Sequence, residues 1–150
     1  MKIAYIFKGG RKERLFSKEN FANDFFYGYL NLLEKGHDLD CIEEDDIANI
    51  KFHIFISKLI NKISSILWDL PLNFLLNFLL SKGYKKFKNI NILIATTSSI
   101  GITLAIAKKL NLIDGKIFFL SMGSIPLDSS FFKKQIYKFI LRNIETIVFS

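Results

Sequence analysis

The stretch Ile90-Asn91-Ile92-Leu93-Ile94-Ala95-Thr96-Thr97-Ser98-Ser99 decides the fold. Its first six residues are apolar except Asn91 and rich in β-branched Ile, the composition of a strand buried on both faces of a parallel sheet. Four hydroxyl residues end the strand. Ser98 or Ser99 is placed to cap a helix over 100–110. A strand, a short polar loop and a helix make half of a βαβ unit.

The same alternation continues outward in both directions. Downstream, Asp114-Gly115 marks a turn, and 117–120 reads as a strand ending in Ser121-Met122-Gly123-Ser124. Ser129 then caps a helix to about 143, with Phe132, Ile136, Phe139 and Ile140 inward, and 146–150 opens like another strand. Upstream, 2–7 is a short apolar strand stopped by Lys8-Gly9-Gly10, with a charged loop over 11–19. Phe21, Phe25, Tyr29, Leu32 and Leu33 recur at helical spacing over 19–35, and Gly36 is a suitable stop. Residues 39–42 form the second strand. Strands alternating with helices predict an α/β class: one Rossmann-like domain over 1–150, a parallel sheet with helices on both faces.

Two segments between the second and third strands stand out. Glu43-Glu44-Asp45-Asp46 is an acidic run, but adjacent residues do not converge on one point and no His accompanies them. It reads as a solvated loop or a helix N-terminus rather than a metal site. Residues 50–82 then carry two helices. Ile54, Leu59, Ile60, Ile63, Ile66 and Leu67 form the apolar arc of the first. Pro71 starts the second, which continues through Leu72, Leu75, Leu76, Leu79 and Leu80 to Gly83. The pair is expected to cover one face of the sheet. A basic, amphipathic pair over 50–88 also suits a membrane surface, which is the alternative. A span is not expected, because Asp69 and Pro71 interrupt the most apolar stretch.

The chain has 150 residues, half of them hydrophobic, and a net charge of +7. Abundant Ile, Lys, Asn and Phe fit A- and T-rich codon usage, which is one source of that charge. A basic surface attracts phosphates, nucleotides or anionic lipid. No nucleic-acid-binding signature is present, so nucleic acid is not an expected partner. The single cysteine, Cys41, excludes an internal disulfide and fits a reducing compartment. It is expected as a small apolar residue on a buried strand. His37 sits in a turn, and His53 lacks a second ligand; neither predicts a metal site. No serine or cysteine nucleophile motif supports a self-contained hydrolase.

Ligands of an open parallel sheet bind outside the carboxyl ends of its strands. Three such ends carry small or polar residues: Gly9-Gly10-Arg11, Thr96-Thr97-Ser98 and Met122-Gly123-Ser124. Glycines admit close backbone approach, helix-start amides suit an anion, and hydroxyls suit sugar or phosphate oxygens. The candidate binding residues are therefore Gly9, Gly10, Arg11, Thr97, Ser98, Gly123 and Ser124. No catalytic residue is assigned, and no metal or cofactor is expected.

The opening Met1-Lys2-Ile3-Ala4-Tyr5-Ile6, the aromatic-glycine run Phe25-Phe26-Tyr27-Gly28-Tyr29-Leu30 and the following Glu34-Lys35-Gly36-His37-Asp38-Leu39 resemble the start of GT-B glycosyltransferases of the group 1, family-4-like type. The run from Ile92 through Gly101, with Leu104-Ala105 and Lys108-Lys109-Leu110-Asn111-Leu112, is similar to the strand and helix lining that family's acceptor cleft. Phe118-Phe119-Leu120-Ser121-Met122-Gly123 and Ile147-Val148-Phe149-Ser150 are similar to its later strands. Met122 stands in a region where many members carry a His.

The resemblance implies an N-terminal, acceptor-binding half, with the nucleotide-sugar donor bound by a second Rossmann-like domain outside these residues. It implies transfer of a sugar to a hydroxyl acceptor, in cell-surface polysaccharide or glycolipid synthesis, in the cytoplasm or at the inner face of the cell membrane. Residues 1–150 alone are then expected to be inactive. Gly9 and Gly10 would bring backbone amides to the phosphate or acceptor, with Arg11 adding charge. Thr97, Ser98 and Ser124 would contact acceptor oxygens, and the basic helices would dock a lipid-linked acceptor. The alternative is a stand-alone nucleotide-binding or peripheral membrane-binding module without catalysis.

Overall fold

The computed structural model describes residues 1–17, 26–67, 70–121, 131–142 and 144–148. Strands β1 (Lys2–Phe7), β2 (Asp38–Glu43), β3 (Ile92–Ala95), β4 (Lys116–Ser121) and β5 (Glu145–Val148) form one sheet in the order β2-β1-β3-β4-β5. Every pairing is parallel. The chain leaves β1 for β2 on one side and returns to β3 on the other. The order therefore reverses between β1 and β3, the switch point outside whose carboxyl strand ends open parallel sheets bind their ligands.

Alternation along β1 explains both layers. Ile3, Tyr5 and Phe7 point to one face, where they pack with Phe26 and with Tyr29 of α2 (Tyr29–Glu34). The Tyr5 and Tyr29 rings meet edge-on at 5.3 Å. Ala4 and Ile6 point to the other face and join the main core. That core draws Phe78 from α5 (Leu72–Leu80), Phe87 from the 3-10 turn Gly83–Phe87, and Ile100 and Leu104 from α6 (Ser98–Lys109). Helices thus cover both faces, as the apolar strands require. The last helix, α7 (Phe131–Leu141), rests on α6: Tyr137 and Ile140 pack with Ile102 and Ala105.

Several local expectations are corrected. The segment read as a charged loop over 11–19 contains helix α1 (Arg11–Phe16), entered through Gly10 at φ 84°. Of the helix expected over 19–35, the described part is α2 alone, because Tyr27 at φ 51° and Gly28 at φ 80° break the helical path just before it. Phe21 and Phe25 lie outside the described residues. Gly36, at φ 78°, ends α2 as expected. Thr97, not Ser98 or Ser99, caps α6: its Oγ1 accepts from the Ile100 N–H at 3.4 Å.

On α7 Ile140 is buried and Ile136 packs beside it, as expected, but Tyr137 is the other buried residue, while Phe132 and Phe139 are exposed. The helix meets α6 rather than the sheet, so its buried arc is turned from the expected one. Lys109 lies over the Phe139 ring, 3.9 Å from its centre.

The helix α4 (Ile54–Ile66) forms where its periodicity predicts, yet among its residues only Ile60 is buried. The expectation that both helices over 50–82 cover the sheet holds for α5 and fails for α4.

Candidate functional site

The loop after β1 and the loop after β3 meet at the switch point, and the acidic run after β2 locks against both. Thr96 knits β1 to β3: its N–H and its Oγ1 both donate to the Ile6 carbonyl, the latter at 2.8 Å. Gly9 lies so close to the acidic run that a Cβ there would sit 3.4 Å from Asp45 Oδ2. Gly10 supplies the left-handed turn that starts α1, a conformation costly for any residue with a side chain.

Three of the four acidic residues are held by bonds, Glu43 and Asp46 on Lys12 and Glu44 on Ser99. Glu43 accepts from the Lys12 N–H at 2.6 Å, in the first turn of α1. Glu44 opens α3 (Glu44–Ile47) and accepts from Ser99 Oγ at 3.1 Å, in the first turn of α6. Asp46 closes a capping box by accepting from the Glu43 N–H at 2.9 Å, and it pairs with Lys12 Nζ at 2.5 Å. Lys86 Nζ donates to the Asp46 carbonyl. Burial works to raise the Asp46 pKa, but the Lys12 ammonium and the Glu43 N–H outweigh it and hold the carboxyl below its ordinary value. The Lys12 ammonium is raised in turn, chiefly by its bond to Asp46.

Glu44 differs from its neighbours. It is half-buried, and burial pushes its pKa above the ordinary glutamate value against the Ser99 hydroxyl and the nearby Lys8 charge. A carboxylate with a shifted pKa at a switch point marks a candidate site. Ser99 Oγ is also 3.1 Å from Thr97 Oγ1, so two hydroxyls and one carboxylate share the mouth of α6. Such a group both donates and accepts hydrogen bonds, as recognition of a polyol needs.

No family model matches this chain, and no curated protein or solved structure matches it.

The expected residues Gly9, Gly10, Arg11, Thr97 and Ser98 all follow the aligned carboxyl ends of β1 and β3. Ser98 is exposed at the start of α6. Burial lowers the Arg11 pKa, opposed by the nearby Tyr27 phenol. Gly123 and Ser124, with Met122, lie outside the described residues. At the start of α1 one helix-start amide is already taken, since Glu43 accepts from the Lys12 N–H. Glu43 and Glu44 already bring carboxylates to the first turns of α1 and α6, and a phosphate approaching either would meet like charge.

Glu44 and Ser99 were not among the expected residues. Their signal was present in outline: an acidic run directly after one strand and a hydroxyl run directly after another. Only the strand order puts them side by side.

The remaining polar candidates have structural roles. Cys41 is half-buried on β2, and burial pushes its thiol up to about 11, which keeps it unreactive near neutral pH. His53 caps α4 by accepting from the Phe55 N–H at 3.3 Å. Among the described residues no group of His, Cys, Asp or Glu is arranged to hold a metal ion.

A concavity of about 340 Å³ lies on the sheet face that carries α2. Its walls include Tyr5, Leu32, Ile92, Ile94 and Phe118. The Tyr5 hydroxyl donates to the Tyr27 carbonyl at 3.2 Å.

Proposed function

We propose that this chain is the acceptor-binding, Rossmann-like domain of a glycosyltransferase, and that the β1–β3 switch point binds a hydroxyl-rich acceptor. The observation that carries the reading is the half-buried Glu44 carboxylate, held by Ser99 beside Thr97 at the carboxyl edge of the sheet. Glu44 accepts hydrogen bonds from acceptor hydroxyls. Thr97, Ser98 and Ser99 exchange bonds with further acceptor oxygens. Gly9 and Gly10 keep the β1 loop low enough for a sugar ring to approach.

The nucleotide-sugar donor binds on a second domain of the same type. In transfer, an acceptor hydroxyl oxygen bonds to the anomeric carbon and releases its proton to solvent, the bond from that carbon to the donor phosphate oxygen breaks, and the nucleoside diphosphate leaves with that electron pair. The acceptor belongs to cell-surface polysaccharide or glycolipid synthesis, as the sequence resemblance implies.

Saturation-transfer NMR tests this with three ligand classes: simple glycosides, uridine diphosphate and inorganic phosphate. Glycosides are expected to bind, and Glu44→Ala or Ser99→Ala to weaken them about tenfold, the worth of one hydrogen bond to a charged group. Uridine diphosphate binding more tightly than any glycoside, and surviving Glu44→Ala, would replace this reading with a nucleotide-binding module. The intact mass of the native protein in its source cells tests the two-domain arrangement separately.

A further inference from the structure

Helix α4 is amphipathic in the inverted sense. An ordinary surface helix turns its apolar arc to the core and its polar arc to water. The held side of α4 is largely polar: Ser64 donates its hydroxyl to the Leu70 carbonyl, and Asn61 accepts from Asn73 of α5. Ile60 is its one buried side chain. Apart from Ile60, the apolar arc is exposed. Phe55, Leu59, Ile63 and Ile66, spaced four, four and three residues apart, are 71%, 50%, 42% and 67% exposed. That spacing lines them along one stripe. At 1.5 Å per residue the stripe from Phe55 to Ile66 is about 17 Å long.

Basic charge borders the stripe. Lys58 and Lys62 are exposed, one turn apart, next to Phe55, Leu59 and Ile66 on the helical wheel. Neither is in an ion pair among the described residues. Residues 50–88 hold seven lysines against one acidic residue, and so most of the chain's +7. No helix among the described residues is long and apolar enough to cross a membrane. An apolar stripe with a lysine border, on a helix held from behind by polar bonds, has the chemistry of a helix lying in an anionic lipid interface.

We infer that α4 is a docking surface for an anionic lipid bilayer: Phe55, Leu59, Ile63 and Ile66 enter the acyl boundary, and Lys58 and Lys62 meet the headgroup phosphates. The surface stands independently of the acceptor reading, because it shares no residue with the β1–β3 switch point.

Flotation of the full chain with phosphatidylcholine vesicles, with and without phosphatidylglycerol, tests it. The protein is expected to float with the anionic vesicles and to be released by salt. Leu59→Ser with Ile63→Ser is expected to reduce binding at least about tenfold with an unchanged circular dichroism spectrum. Lys58→Gln with Lys62→Gln should reduce it several-fold and flatten the salt dependence. Phe55→Ser, at the most exposed position, should weaken binding even if the double serine variant fails to fold. Equal flotation with neutral and anionic vesicles, or anionic flotation unaffected by these changes, would overturn the inference. A dimer in sedimentation that dissociates in the Leu59→Ser, Ile63→Ser variant, without vesicle binding by the parent, would assign the stripe to a second copy instead.

Discussion

Helices α4 and α6 are nearly equal in length, 13 and 12 residues, and opposite in environment. α6 lies between the sheet and α7, and seven of its residues are buried. It is apolar nearly all round, as a helix with protein on two sides must be. Gly101 has no side chain because the Phe119 ring occupies the space where one would be. α4 has a clear apolar arc and a clear polar arc, yet buries one residue. Periodicity thus reports that a helix has an apolar face, and not what that face meets.

The sharpest way to break this contrast is a matched pair of truncations. Leu104→Ala, in the core seat of α6, is expected to lower unfolding stability by about 3 kcal/mol, from lost burial and the cavity left behind. Leu59→Ala, on the exposed stripe of α4, should stay within about 0.5 kcal/mol in the same urea titration. Equal losses would mean that the α4 stripe is buried in solution, and the docking inference would fall with the contrast.

A smaller effect probes how tightly α6 is seated. Gly101→Ala places a methyl against Phe119, and the expected loss is about 2 kcal/mol after the gain in helix propensity. A neutral result would show that the ring can move aside and that the α6 seat is loose.

The smallest effect concerns the N-terminus of α6, where Glu44 sits. Its folded pKa lies above the ordinary value of 4.5. Between those two values the folded protein binds more protons than the unfolded chain, so stability falls as pH rises through that window. Above the folded pKa the loss is complete and constant. Glu44→Gln should flatten this slope, read from urea midpoints at a series of mildly acidic pH values. An unchanged slope would mean that Glu44 is solvated, and would remove the observation on which the acceptor site rests.

Much of the fold was legible because its cues are local. The apolar runs at Lys2–Phe7 and Ile92–Ala95 announce buried parallel strands, and Gly36 announces the end of α2. The loops at Gly9-Gly10 and Thr96-Thr97-Ser98 were assigned to the same sheet edge from the alternation alone. The turn at Tyr27-Gly28 was not legible, since an aromatic residue at positive φ has no sequence cue beyond the glycine beside it. α1 was not legible because six residues carry too little periodicity to separate a helix from a charged loop.

The sequence by itself determined the α/β class, the succession of the five strands and the edge at which the polar loops collect. Each of these follows from side-chain period and from turn chemistry between neighbouring residues. The tertiary structure alone decided that β1 lies between β2 and β3. That order brings the acid after β2 to the hydroxyls after β3. It also decided the rotation of α4 about its own axis. Periodicity fixes the angles between side chains within a helix, whereas the direction the helix turns them is set by distant packing partners.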